Sequence, residues 1–215
     1  MRSRSSRLGS AAGQRGQSGM PWSRASHPGM IRAALIALLA LDATAARIDS
    51  VTVSYAAGNY TVAAVLEIDA PAAAIRAALT DYNHLGRLSP SIVESSMVRQ
   101  TDRGPVVYTR SRACAGLFCR QLRKTELVSV NDSQITALVL QQESNIESGV
   151  TRWQFTATPT GTRVTMDIEI KPAFFVPPLI GPPLVKSALK REAESLAMGL
   201  ERAAHAIAYP PSTPP

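Results

Sequence analysis

The sequence predicts an α+β domain: a curved antiparallel sheet of about seven strands wrapped around a long C-terminal helix, with two short helices after the first strand. Three observations carry this. Strand-like and helix-like segments are segregated along the chain rather than alternating, which favours an antiparallel sheet over βαβ units. In 163–171, Val164, Met166, Ile168 and Ile170 alternate with Arg163, Thr165, Asp167, Glu169 and Lys171, the signature of a sheet with one wet face. Finally, Val185, Ala188, Leu189, Leu196, Leu200, Ala203 and Ile207 recur at helical spacing over 184–207, a stripe that must be buried against something.

Taken in order, Val51–Tyr55 and Tyr60–Ile68 read as a hairpin with a Gly58-Asn59 turn, and Tyr60, Val62, Ala64, Leu66 and Ile68 share one face. Asp69-Ala70-Pro71 stops the second strand and opens an Ala-rich helix over 71–80, with Asp69 in the N-cap region and Ile75, Ala78 and Leu79 facing inward. A second short helix is expected over 82–88, ending before Ser89-Pro90. Six strands follow at 92–99, 105–114, 119–130, 134–141, 149–158 and 163–171, separated by turn residues such as Asp102-Arg103-Gly104 and Asn131-Asp132-Ser133. The segment 171–183 is apolar but holds five prolines, so no regular helix is expected before Leu184. A strongly curved sheet around one helix closes badly at its ends and leaves a space between helix, sheet and the short helices.

The 215 residues are 45% apolar and 18% charged, enough for a real core and too apolar for a wholly disordered chain. The net charge of +7 is unevenly placed. Residues 1–45 hold six arginines and one acid, Asp42, which leaves 17 of 23 basic and 15 of 16 acidic residues from Ala46 onward, a net of +2. A charge-driven nucleic-acid binder is therefore excluded.

The leader divides in two. Residues 1–29, rich in Arg, Ser and Gly, have the composition of a disordered tail and suggest a start assigned too early, with Met30 the initiator. From Met30, Arg32 gives a positive end, Ala33–Leu41 an apolar stretch and Ala43-Thr44-Ala45 an A-x-A cleavage site. That stretch is too short for the ~20 residues a membrane crossing needs. The expectation is a signal peptide over 30–45, cleaved near Ala45/Ala46, with a retained anchor as the alternative. A single domain over 46–209, a disordered tail over 210–215 and a periplasmic or secreted location follow. Cys114 and Cys119, separated by the four residues 115–118 that include Gly116, would face each other at a hairpin turn. A disulfide is expected there and two free thiols are the alternative. A zinc site lacks further ligands, and no metal is expected.

The ordered set Ile68-Asp69-Ala70-Pro71, Leu79-Thr80-Asp81-Tyr82, Leu88-Ser89-Pro90, Gly149, Trp153, Gly161-Thr162-Arg163-Val164 and the C-terminal helix resembles the START-like SRPBCC superfamily, the helix-grip fold of polyketide cyclases and lipid-transfer domains. The resemblance spans about Tyr60 to Ile207 and is closest to the coenzyme-Q-binding-like and cyclase/dehydrase-like subgroup. It implies a deep apolar cavity between sheet and long helix for a lipid, quinone, sterol or polyketide-like ligand. It carries over no catalytic set and no cofactor.

Candidate site residues follow from both readings. Trp153 and Phe155, with Met166 and Ile168 one strand away, would form the core or the cavity wall. Leu85, Tyr108, Leu189, Leu196 and Leu200 are further expected ligand contacts, and Phe174 and Phe175, held by prolines, would gate the mouth or pack over the end of the sheet. Asp81, Tyr82 and His84 could supply acid and base at a cavity mouth. Alternatively, Asp81 caps a helix, Tyr82 packs and His84 is solvated. Arg110, Arg112, Arg120, Arg123 and Lys124 straddle the cysteine hairpin. They form either a solvated face or a surface for anionic lipid headgroups, and Arg110 and Arg112, if inward, would meet an acidic ligand group. The chain lacks a G-x-S-x-G elbow, and Ser187-Ala188-Leu189-Lys190 has none of the companion motifs of a serine acyltransferase. The function expected is an exported carrier of an apolar small molecule. A cyclase, dehydratase or hydrolase using the same pocket is one alternative, and an envelope interaction module docking through 174–185 is the other. The sequence leaves the oligomeric state open.

Overall fold

The computed structural model describes residues 46–115, 117–174, 176 and 181–210. The expected leader, signal segment and cleavage motif, residues 211–215 and the candidate Phe175 lie outside the described residues.

The strands are β1 (Arg47–Ala56), β2 (Asn59–Ile68), β3 (Ile92–Thr101), β4 (Gly104–Ala115), β5 (Phe118–Val130), β6 (Gln134–Val139), β7 (Ile146–Thr158) and β8 (Gly161–Pro172). They form one fully antiparallel sheet of eight strands, not seven, in the order β1-β2-β8-β7-β6-β5-β4-β3. The opening hairpin supplies both β1 and β2, and the short helices follow β2 rather than β1. The hairpin turn is Ala57-Gly58, with φ of 49° and 85°, so Asn59 already belongs to the ladder opposite Ala56. Two consecutive positive φ values suit the right-handed twist of a two-residue hairpin.

Helix α1 spans Ala72–Thr80 and buries Ala74, Ile75 and Ala78. Pro71, rather than Asp69, occupies its N-cap, without a side-chain cap bond, and its carbonyl accepts from the amides of Ala74 and Ile75. The second expected helix shrinks to one 3-10 turn, Leu85–Arg87, and the residues before it form a separate turn in which the His84 amide donates to the Asp81 carbonyl. β6 stops at Val139, and Gln141–Glu143 form another 3-10 turn.

Helix α2 runs from Gly181 to Ala208 and so begins three residues earlier than the prolines suggested. Pro182 and Pro183 occupy its first turn, where an amide proton would have no intrahelical acceptor. α2 packs on α1, β1 and β2 and also reaches β4 near the opposite end of the strand order; the sheet curves around it. The core lies between them. Val62, Ala64, Leu66 and Ile68 of β2, Val164 and Met166 of β8, and Trp153 and Phe155 of β7 meet Ile75 and Ala78 of α1 and Ala197, Leu200 and Ala204 of α2.

Cys114 and Cys119 stand opposite one another in the β4–β5 ladder and are joined by a disulfide. A cross-link in a tight hairpin closes a short loop, so its main effect is to pin the strand register.

Candidate ligand-binding face

Register settles which side chains share the concave face. Opposed residues of an antiparallel pair point the same way. Met166 pairs with Trp153 and with Ala64, Trp153 pairs with Ile135, and all four are core residues. Ile168, Leu189, Leu196 and Leu85 are partly buried and pack against this cluster, and Leu200 is fully buried in it. These sequence-predicted residues are therefore brought together in one apolar cluster, in which Trp153, Phe155, Met166 and Leu200 are buried.

The helix covers the sheet unevenly. Ala193, Ala197, Gly199, Leu200, Glu201, Ala203 and Ala204 are buried, whereas Leu184, Val185, Ala188 and Leu189 are only half-buried. The apolar stripe is thus incompletely covered over its amino-terminal half.

The concave face also holds a polar insert. Val107, a core residue, pairs with Glu126, and Thr109 pairs with Lys124, two rungs of the same face without a register shift. Thr109 is 6% and Glu126 7% exposed. Lys124 Nζ donates to Glu126 Oε1 at 3.0 Å, and among the described residues the buried Thr109 hydroxyl has no hydrogen-bond partner. An unpaired buried hydroxyl costs about 1–3 kcal/mol, so the face holds a donor and acceptor that folding leaves unused. Sequence reading missed Thr109 and Glu126 and grouped Lys124 with the hairpin cations. The signal was present in the phase of β5, where Lys124 and Glu126 alternate in step with the core residue Val128.

Tyr108 and Arg110 alternate with Val107 and Thr109 and so project from the opposite, convex face. The inward alternative for Arg110 and Arg112 is not realised; Arg110 Nε instead donates to Glu94 at 2.8 Å. Arg112, Arg120 and Arg123 have no carboxylate partner among the described residues. Arg120 and Arg123, with Gln121, Asn145, Ala173 and Phe174, line an open cleft of about 520 Å³ beside the disulfide hairpin.

Asp81 and His84 come together with Arg87 rather than with Tyr82. His84 Nδ1 and Asp81 Oδ1 are 2.8 Å apart, and Arg87 donates to Asp81 Oδ2 at 3.0 Å. His84 is 71% exposed and lines, with Asn83, Gly86, Arg87 and Ile92–Ser95, an open cleft of about 280 Å³. Tyr82 packs against the core, and its phenol is pushed above its usual range by burial. Among the described residues no three metal-ligating side chains cluster, and no helix is long and apolar enough to cross a membrane.

Comparison with known proteins agrees with this architecture. Residues 60–205 match the family described as polyketide cyclase/dehydrase and lipid transport. No curated protein matches the chain in sequence. Among solved structures, a START superfamily protein from Mycobacterium smegmatis aligns with a TM-score of 0.55 at 19% identity, covering 67% of this chain and 97% of its own. The Zhui aromatase/cyclase from Streptomyces sp. R1128 aligns at 0.57 and 11% identity, covering 72% and 99%. Human STARD10 aligns at 0.53 and 14% identity, covering 74% of each chain. At these identities the likeness is one of fold.

Proposed function

The chain belongs to the polyketide cyclase/dehydrase and lipid transport family, and from that premise we propose that it is an exported protein that binds and carries an apolar small molecule bearing a polar head. The observation that carries this reading is a polar insert on the concave face, Thr109 and the Lys124–Glu126 pair, in a fold whose long helix leaves its apolar stripe incompletely covered at Leu184–Leu189. Apolar area removed from water would supply affinity, at about 25 cal/mol per Å² before ordering costs. The free hydroxyl of Thr109 and the ion pair would orient the head group. Export is supported by the A-x-A motif before Ala46 and by the Cys114–Cys119 bond, a linkage suited to an oxidising compartment. The open cleft at Arg120 and Arg123 suits contact with an anionic membrane surface during loading.

Extraction of natively purified protein, followed by mass spectrometry, tests the reading directly. An apolar molecule with one polar group is expected. Thr109→Val should leave the protein folded and weaken retention about fivefold, the worth of one neutral hydrogen bond. Absence of any extracted molecule, together with no binding of an apolar fluorophore, would sink the carrier reading.

A cyclase or dehydratase reading draws on the Asp81–His84 pair beside its cleft, an arrangement able to move a proton. Recovery of the bound molecule chemically unchanged after prolonged incubation separates carrying from turnover.

A further inference from the structure

Glu201 is a buried carboxyl that the ligand-binding reading does not use. It lies on the core-facing side of α2, 7% exposed, between the buried residues Leu200 and Ala203. Among the described residues no lysine or arginine pairs with it. Its hydrogen-bond donor is the backbone nitrogen of Ala46, which binds Glu201 Oε2 across 155 residues of sequence. Burial raises the carboxyl above its usual range, the Ala46 bond opposes that, Asp69 reinforces it and His205 weakly opposes it. A carboxylate held this deep by one neutral amide is poorly compensated, because a buried charge is stable only when paired.

The missing charge is available at the same atom. Ala46 follows Ala43-Thr44-Ala45, small residues at the two positions before a bond that a signal-type endopeptidase reads. Hydrolysis there adds one water across the Ala45 carbonyl carbon and the Ala46 nitrogen. Ala45 leaves as a carboxylate, and its proton passes to the amine, which becomes an ammonium ion. The donor to Glu201 keeps its place and gains a full positive charge. A chain starting at Arg47 would lose that nitrogen, and one starting at Ala45 would restore the neutral amide, so the arrangement reads the cleavage position to the residue.

We propose that the Ala45–Ala46 bond is a processing site and that the α-amino group it releases docks on Glu201 as a buried ion pair, locking the start of β1 onto α2 in the processed protein alone.

The test compares the full-length precursor, purified with export blocked and then oxidised, with the product recovered from an exporting host. Intact mass and N-terminal sequencing should place the first residue at Ala46. The processed form should melt about 5 °C or more above the precursor, the order expected for a buried pair in a domain of this size. Glu201→Gln should lower the melting temperature of the processed protein but leave the precursor unchanged or raise it. Should the variant fold poorly, acetylating the α-amine of the processed wild-type protein must produce the same loss. Nitrogen-15 NMR of Ala46 should show an amine titrating at least one unit above the ordinary 7.7–8.0. A first residue other than Ala46, equal melting temperatures for the two forms, or an ordinary amine titration would overturn the proposal. None of these outcomes bears on ligand binding.

Discussion

Gly199 and Leu88 meet backbone to backbone: a Cβ placed on Gly199 would lie 1.9 Å from the Leu88 carbonyl oxygen and 2.5 Å from its carbonyl carbon. This contact sets how closely α2 approaches the segment that leads into β3. Ser91 Oγ reinforces it from the same segment by donating to Glu192 Oε1 of α2 at 2.6 Å.

Gly199→Ala tests the approach. Alanine would improve intrinsic helix propensity by about 1 kcal/mol. The obstacle is backbone rather than a flexible side chain, so overpacking dominates, and a net loss of about 1–3 kcal/mol is expected. Urea unfolding measures it. A stabilised variant would show that α2 sits further from Leu88.

The Lys124–Glu126 pair should behave as a unit. Lys124→Met leaves a carboxylate whose side chain is 9% exposed without its cation and should cost about 2 kcal/mol or more. Adding Glu126→Leu should restore most of that stability while weakening the preference for ligands with a polar head to what the Thr109 hydroxyl alone supplies. Equilibrium unfolding of both singles and the double variant gives the coupling, and additive losses would show that the pair contributes nothing.

Reduction should loosen the hairpin without unfolding the domain. A loop closed over a sequence separation of 5 corresponds to about 2 kcal/mol in the chain-entropy account, and the melting temperature should fall by roughly 5 °C with the far-ultraviolet dichroism retained. Complete unfolding on reduction would mean that the bond fixes more than the β4–β5 register.

Glu201 also sets a pH dependence in the precursor. Its folded carboxyl titrates above its unfolded value, so folding favours the neutral acid. The stability this gives is fully present below the unfolded value, near pH 4, and is lost as pH rises through the raised folded value. Glu201→Gln should flatten that part of the melting-temperature profile. An unchanged slope would show that Glu201 is not its source.

Much of the architecture was legible in the residues because hydrophobic phase and turn chemistry are local. The alternation of Val164, Met166, Ile168 and Ile170 marked β8 and its buried face, and Cys114 and Cys119 marked the β4–β5 register. The start of α2 was misread because prolines that break a helix interior are tolerated in its first turn. The convex placement of Tyr108 and Arg110 was not legible, because Val106, Val107 and Thr109 give no clean alternation and only pairing with β5 fixes the phase. Glu126 was missed for a related reason. A charge in the run Arg123-Lys124-Thr125-Glu126 looks solvated until the facing strand, with Val107 opposite Glu126, is known.

The sheet does not close on itself. β1 and β3 are its outermost strands, and β3 exposes Val93, Met97 and Val98. Such a rim invites a second chain to add on by backbone pairing. Both strands are irregular where it matters: register shifts fall between Ile48 and Ser50 in β1, and between Ile92 and Glu94 and between Met97 and Arg99 in β3. Each kink spoils the straight template that fibril-like stacking requires, so neither open margin offers an unbroken edge for another strand to extend.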